Sequence, residues 1–338
     1  MADAPAVALH PTDVAPGSRK LARVLSALLR GWATDDCANW IVCEKSEALS
    51  NHVYHVVNPT IGEQVIVRVF GGAATQADGR LAENVIVRRL GEAGVGPGLL
   101  GTFANGRVEE YLEGRTINTL EVMRHCADGI ATALGRFHAK AEEALGEVEM
   151  ETLEGRLRRW RKAVVEGLEG RRDGSLSWVS ALLDVDLEGL VAGMRGWERG
   201  VVHGDVQGLN IMVSGGGFRS CRLLDFEYIC GPIAYDLANH FAEWSWAGSF
   251  DVVEFRPARY PALAERRRFC EVYLEERAPR PGGVAVTADV ETLLRQCDAC
   301  LRVSHYHWAL WGLLAEEGHG SFDYLEYARG RARAVLDR

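Results

Sequence analysis

The segment Val201-Val202-His203-Gly204-Asp205-Val206-Gln207-Gly208-Leu209-Asn210-Ile211-Met212-Val213 sets a polar loop between two apolar runs. A third apolar run, Cys221-Arg222-Leu223-Leu224, stops at Asp225-Phe226-Glu227. Valine and isoleucine at this density, broken by turn residues, read as strands of a hairpin. A hairpin brings the two ends of its strands to one mouth. Asp205, Asn210 and Asp225 are therefore expected to present side-chain oxygens at one place.

That set suits phosphoryl transfer. The migrating phosphoryl group needs little covalent help; it needs an aligned nucleophile and cations to absorb charge. Asp205 is placed to accept or orient the proton of a substrate hydroxyl. Asn210 and Asp225 are the candidate ligands for Mg2+, which takes one or two hard oxygens from protein and fills its shell with water and phosphate. Each residue alone reads as a turn, a cap or a strand terminator. Together their order and spacing match the H-x-D-x-x-x-x-N and D-F-x pattern of protein kinases. His203 reads as a loop-ordering residue, because a second base beside Asp205 would be redundant.

The rest of the chain supplies a scaffold for such a loop. At 338 residues it has length for about two domains. Met1 to Ser18, with Pro5, Pro11 and Pro16, reads as a flexible tail without the basic start and apolar core of a signal peptide. Leu21 to Trp32 has helical spacing. Asn39–Cys43, His52–Val57 and Gln64–Phe70 read as strands, Leu81–Ala93 as a helix, and Leu99–Ala104 with Arg107–Tyr111 as a hairpin turning at Asn105-Gly106. From about Glu113 onward the pattern is mostly helical, over Ile117–Ala141, Glu151–Leu168, Leu176–Arg195 and the C-terminal third. Gly170 to Gly174 reads as an exposed loop. The expected class is α+β: a tail over 1–18, a small antiparallel-sheet lobe over 19–112 that binds nucleotide, and a larger helical lobe over 113–338.

In the small lobe, Arg68 lies on the apolar strand Val65-Ile66-Val67-Arg68-Val69, where a cation can reach ATP phosphates. Glu83 on the next helix is expected to hold Arg68 in an ion pair. No G-x-G-x-x-G loop precedes the strand; the turn with Ser50 and Asn51 is the candidate phosphate loop. Glu109 to Leu112, Tyr111 included, are placed to offer backbone groups to adenine.

Bulk properties exclude several classes. A formal net charge of -9 argues against a nucleic-acid partner. No run approaches the roughly 20 apolar residues of a membrane span. The 8 cysteines are scattered, which fits thiols in a reducing cytoplasm. Cys297 and Cys300 form a lone C-x-x-C followed by His305 and His307, without a second pair at zinc-finger spacing.

At these residues the chain resembles the choline/ethanolamine kinase family. The resemblance rests on His203 to Asn210, on Leu224 to Tyr228, and on the run Ala234-Tyr235-Asp236-Leu237-Ala238-Asn239-His240-Phe241-Ala242-Glu243-Trp244. It resumes at Ser304 to Gly312 and at Asp323 to Ala328, with Leu49-Ser50-Asn51 and Val67 to Gly71 similar in the small lobe. It implies a protein-kinase-like two-lobed fold, ATP and Mg2+, and the first step of phosphatidylcholine or phosphatidylethanolamine synthesis. By that resemblance Asp205 is the catalytic base with Gln207 beside it, Asn210 and Asp225 bind magnesium, and Arg68 binds phosphate. Two departures stand out. Glu47-Ala48-Leu49 replaces the glycines usual before Ser-Asn, and Gly204 replaces an Asn that many members carry before the base.

The substrate implied is a small amino alcohol. The quaternary nitrogen of choline cannot donate N–H hydrogen bonds and favours aromatic faces with a carboxylate nearby; the ammonium of ethanolamine has three donors and favours oxygens. Trp308 and Trp311 are three residues apart and share a helix face. Trp246, Tyr327 and Glu243 complete the candidate cage, with Tyr324 as a lesser wall, and Asp205 faces the alcohol. Core packing is the alternative for these rings. The reading favours choline over ethanolamine. An aminoglycoside-type phosphotransferase and an inactive kinase-fold binding module are the rivals, and a homodimer is left open.

Overall fold

The structure, a computed structural model, describes residues 6–45, 51–70, 77–168, 177–215, 220–227, 229–246, 254–277, 287–315 and 322–337. The chain divides into two compact units, Met1–Glu113 and Gly114–Arg338.

In the first unit, residues 6–18 are not a loose tail. Leu9 and Val14 are buried in the core. The Leu9 N–H donates to Asn105 Oδ1 and the Leu9 carbonyl accepts from Asn105 Nδ2, both at 2.8 Å. Pro11 and Pro16 narrow the backbone in advance, so less entropy opposes the packing of those two apolar side chains. Ser18 caps helix α1 (Arg19–Leu28) by accepting from the Leu21 N–H at 3.3 Å. Leu21, Val24 and Leu25 then share the buried face of α1, as their helical spacing requires.

That core lies against one face of an antiparallel sheet. Its strands are β1 (Ile41–Glu44), β2 (Asn51–Asn58), β3 (Glu63–Phe70), β4 (Leu99–Phe103) and β5 (Gly106–Glu110), in the order β1-β2-β3-β5-β4. Helix α2 (Ala77–Glu92) is inserted between β3 and β4. Side chains alternate across β3, so Val65, Val67 and Val69 enter the core and Arg68 projects from the opposite face. The β4–β5 turn depends on Gly106: a Cβ there would lie 2.2 Å from the Phe103 ring and 2.3 Å from the Arg68 carbonyl oxygen.

The second unit holds two small sheets among helices. One is β6 (Arg115–Thr116), β9 (Ile211–Ser214) and β10 (Ser220–Leu223), with β9 in the middle; the other is β7 (Glu151–Thr152), β8 (Arg199–Val202) and β11 (Ile229–Pro232), with β11 in the middle. The helices are α3 (Leu120–His125), α4 (Ala127–Leu145), α5 (Leu153–Leu168), α6 (Ser177–Leu183), α7 (Leu187–Ala192), α8 (Ala234–Glu243), α9 (Leu263–Arg277), α10 (Thr287–Leu314) and α11 (Tyr324–Leu336). The single helix expected over Ile117–Ala141 is two, because Cys126 leaves helical backbone at φ −91°, ψ 2°. The expected loop at Gly170 to Gly174 lies outside the described residues. Helix α10 packs against α5, α8, α9 and α11 and is the spine of the unit. Among the described residues no helix is long and apolar enough to cross a membrane.

Candidate active site

The loop from His203 to Val206 leaves β8 and is held from behind by helix α8. Asp236 is fully buried, and its carboxylate accepts the N–H groups of His203 at 2.6 Å and Gly204 at 2.9 Å. One turn later Asn239 Oδ1 accepts the Val206 N–H at 2.6 Å, and His240 Nδ1–H donates to the Val206 carbonyl at 3.0 Å. Positions 236, 239 and 240 share one face of a helix, so one element satisfies four polar groups of a buried loop. The sequence reading assigned these three residues no role. The available signal was a polar i, i+3, i+4 triplet in an otherwise apolar helix.

His203 orders the loop from within. Its Nε2 donates to the Leu224 carbonyl at 2.8 Å, so its Nδ1 carries the lone pair that accepts the Asp205 N–H at 3.2 Å. Burial lowers the pKa of His203, in keeping with a neutral ring. Gly204 adopts φ +89°, and a Cβ there would lie 2.6 Å from Glu227 Cβ, which explains a residue without a side chain before Asp205.

Asn210 is bound to Asp205 twice. Its Nδ2 donates to the Asp205 carbonyl at 3.0 Å and to Asp205 Oδ2 at 2.8 Å. The amide nitrogen is thus committed, leaving the harder Oδ1 as the donor suited to a cation. Gln207 acts locally: its Oε1 accepts the Leu209 N–H at 3.4 Å and its carbonyl accepts the Asn210 N–H at 3.0 Å, capping the 3-10 turn that carries Asn210. The β9–β10 register, Ile211 against Leu223, and a Leu224 N–H to Asn210 carbonyl bond of 2.8 Å bring the start of one strand beside the end of the other. Asp225 follows at once with φ +56°, alone among the described non-glycine residues at positive φ. Such backbone persists where surrounding structure over-determines it, which is common at functional sites.

The electrostatics call for positive charge. Burial, then the charges of Glu243, Glu227 and Asp225, raise the Asp205 pKa well above the usual carboxylate range, against the opposing charge of Arg331. Nearby cations would reverse that shift. Among the described residues no group of three or more His, Cys, Asp or Glu side chains is arranged to hold a metal unaided. An amide oxygen and one carboxylate, completed by phosphate and water, is the donor set Mg2+ accepts. Cys297 and Cys300 are buried thiols whose pKa values burial raises, so the C-x-x-C offers no thiolate pair.

The aromatic residues form one connected row. Trp308 meets Trp311 edge-on at 5.4 Å, Trp311 meets Tyr327 at 5.8 Å, and Tyr327 meets Trp246 at 4.9 Å between ring centroids. Tyr324 packs beside Trp311 at 5.5 Å and is buried. Asp323 caps α11 through the Glu326 N–H at 2.8 Å, and α11 places Tyr327 and Arg331 one turn apart on the same face. Arg331, absent from the sequence reading, is 0% exposed. Its guanidinium carbon lies 4.8 Å from the Trp246 ring centroid and 5.0 Å from that of Tyr327. It donates to Glu243 and, at 2.9 Å, to the Tyr327 hydroxyl. The Arg331–Glu243 pair joins two helices across 88 positions of the chain, a contact that residue spacing alone does not report.

The first unit corrects one expectation. Glu83 pairs with Arg107 at 2.6 Å, whereas Arg68 pairs with Glu109 at 3.2 Å. The cause is sheet register: Arg68 stands directly opposite Arg107, and such like charges repel unless bridged. Glu109 bridges them, also accepting from Arg107 Nε at 2.5 Å. Burial opposes the charged form of Glu109, but the two guanidiniums outweigh it and lower its pKa. The Glu109 side chain is therefore engaged in holding arginines. Tyr111 stacks on His55 at 4.1 Å between centroids. Ser50 lies outside the described residues; Asn51 opens β2 opposite Phe70, and its side chain is likewise outside them.

Comparison with known proteins adds independent findings. The sequence profile of the choline/ethanolamine kinase family matches residues 42–336. A probable choline kinase 1 from Arabidopsis thaliana is 31% identical, with 92% of this chain and 91% of that protein covered. A choline/ethanolamine kinase from Rattus norvegicus is 30% identical, with 86% and 78% covered. The solved structure of a choline kinase from Cryptosporidium parvum has the same fold, with a TM-score of 0.79, 19% identity and 94% of both chains covered.

Proposed function

This chain belongs to the choline/ethanolamine kinase family, and we propose that it transfers the γ-phosphoryl group of ATP to the hydroxyl of choline, giving phosphocholine and ADP, the entry step to phosphatidylcholine. Asp205 orients the hydroxyl and accepts its proton as the O–P bond forms and the bond to ADP breaks. Asn210 fixes Asp205 through its amide nitrogen and offers its amide oxygen, with Asp225, to magnesium. Magnesium supplies neutralisation of charge on the phosphate oxygens. Gln207 is assigned a positioning part, since it caps the turn that carries Asn210. Arg68 is assigned to phosphate; its guanidinium is paired with Glu109 at 3.2 Å. The 8 cysteines, all free thiols, fit a cytoplasmic setting.

The observation that carries this reading is the double hydrogen bond from Asn210 to a half-buried Asp205 set among Glu243, Glu227 and Asp225. Such a group is built for cations on two sides, a metal and a cationic alcohol. Choline is favoured because the aromatic row offers π faces, whereas Glu243 already has a cationic partner.

The test is ADP release by purified protein with Mg-ATP and choline, ethanolamine or kanamycin. Choline turnover is expected, falling by about 10³-fold in Asp205→Ala with the fold retained. Kanamycin turnover without choline turnover would instead identify an aminoglycoside-type phosphotransferase. No ADP with any alcohol would point to an inactive binding module.

A further inference from the structure

Resting on the amino-alcohol reading above, we infer that Arg331 is a specificity-determining residue: a built-in guanidinium that occupies Glu243 and thereby disfavours a primary ammonium relative to a quaternary one.

Three observations carry it. Arg331 donates to Glu243, stacks over Trp246 and Tyr327, and donates to the Tyr327 hydroxyl, all from a fully buried position. The arrangement is rigid. Gly330 lets α11 approach so closely that a Cβ there would lie 2.5 Å from Trp246 Cη2. Arg331 Nε and Trp246 Nε1 are buried without hydrogen-bond partners, so this corner already holds more donors than acceptors.

The consequence follows from the chemistry of the two cations. A primary ammonium brings three N–H donors that must find acceptors once desolvated. With a Glu243 oxygen taken and its charge neutralised, a donor left unpaired costs the full desolvation of that group. A trimethylammonium has no N–H to satisfy. It gains from ring faces and apolar contact, the chemistry of the half-buried Trp311 and Tyr327 beside Arg331. Arg331 thus performs discrimination by penalising the wrong partner rather than by contacting the right one.

The experiment compares kcat/KM for choline and for ethanolamine in wild type, Arg331→Gln, Arg331→Lys and the double variant Arg331→Gln with Glu243→Gln. Freeing Glu243 in Arg331→Gln is expected to lower the choline-to-ethanolamine ratio roughly tenfold, the size of one charged hydrogen bond. Arg331→Lys keeps a cation on Glu243 and is expected to hold the ratio nearer wild type; the double variant is expected to restore it by removing the freed carboxylate. A parallel loss on both alcohols, with the ratio unchanged, would show a purely structural role and overturn the inference. If Arg331→Gln does not fold, the wild-type protein decides: tetramethylammonium should compete with choline roughly tenfold better than methylammonium, and equal competition overturns the inference. Failure of wild type to phosphorylate either alcohol would overturn the functional reading along with it, a result distinct from turnover with an unmoved ratio.

Discussion

The Asp236 carboxylate accepts from two backbone N–H groups and from His138 Nε2 at 3.0 Å, while His138 Nδ1 accepts from the Tyr273 hydroxyl at 2.7 Å. It touches none of the groups assigned to chemistry, yet it fixes the backbone from which Asp205 projects. Asp236→Asn replaces one acceptor oxygen by an NH2 that faces other donors. Expected is a loss of about 3 kcal/mol of stability, read as a fall in Tm of roughly 6 °C or more, together with at least tenfold lower kcat and a nearly unchanged KM for ATP. An unshifted Tm, or a KM effect without a kcat effect, would contradict the scaffold role. That Asp205, Asn210 and Asp225 stand near one another was legible in the sequence, because a hairpin sets their spacing. Asp236 was not, because its partners are backbone groups some thirty residues earlier, which no side-chain pattern reports.

Helix α11 is the element on which the proposed amino-alcohol site rests, since it carries Tyr327 and Arg331 together. It is seated on α10 where Gly312 permits close approach: a Cβ there would lie 2.9 Å from Ala328 Cβ and 3.0 Å from the Tyr324 carbonyl oxygen. Both are rigid helix groups rather than the tip of a flexible side chain, so a larger residue must lift α11. Gly312→Val is expected to destabilise by about 2 kcal/mol through overpacking and to raise KM for choline at least fivefold, with KM for ATP little changed. Steady-state kinetics in both substrates measure this, and equal shifts in the two KM values would argue against it. Strands and helices were largely readable from period-2 and helical spacing, as the alternation of Val65, Val67 and Val69 shows. Partner choice was not. Glu83 lies on the expected helix, but sheet register hands it to Arg107, because cross-strand placement of Arg68 opposite Arg107 depends on pairing that one strand's sequence does not contain. The tail reading failed in a similar way: Leu9 and Val14 are too few to show periodicity, and Leu9 is held by Asn105 in a distant turn.

At the scale of the whole molecule, acid sensitivity is distributed unevenly. The second unit keeps His203, His240 and His307 buried, with pKa values lowered chiefly by burial. Burial pulls His240 from 6.5 to about 4, with its Nδ1–H donated to Val206 and its Nε2 accepting from Trp244 Nε1 at 3.2 Å. In the unfolded chain this ring titrates near 6.5. Above that pH neither state binds the proton, and stability does not depend on it. Between 6.5 and about 4 the unfolded chain binds a proton that the folded one refuses, so stability falls as pH falls; below about 4 both states bind it and the dependence ends. The window corresponds to about 3 kcal/mol at one proton. His240→Asn retains an N–H for Val206 without a titrating ring. Its Tm is expected to decline less steeply than wild type from pH 6.5 to 4, even where its absolute Tm is lower. Thermal scans followed by tryptophan fluorescence across that range measure the slopes, and parallel slopes would show that His240 is not among the groups through which acid unfolds the second unit.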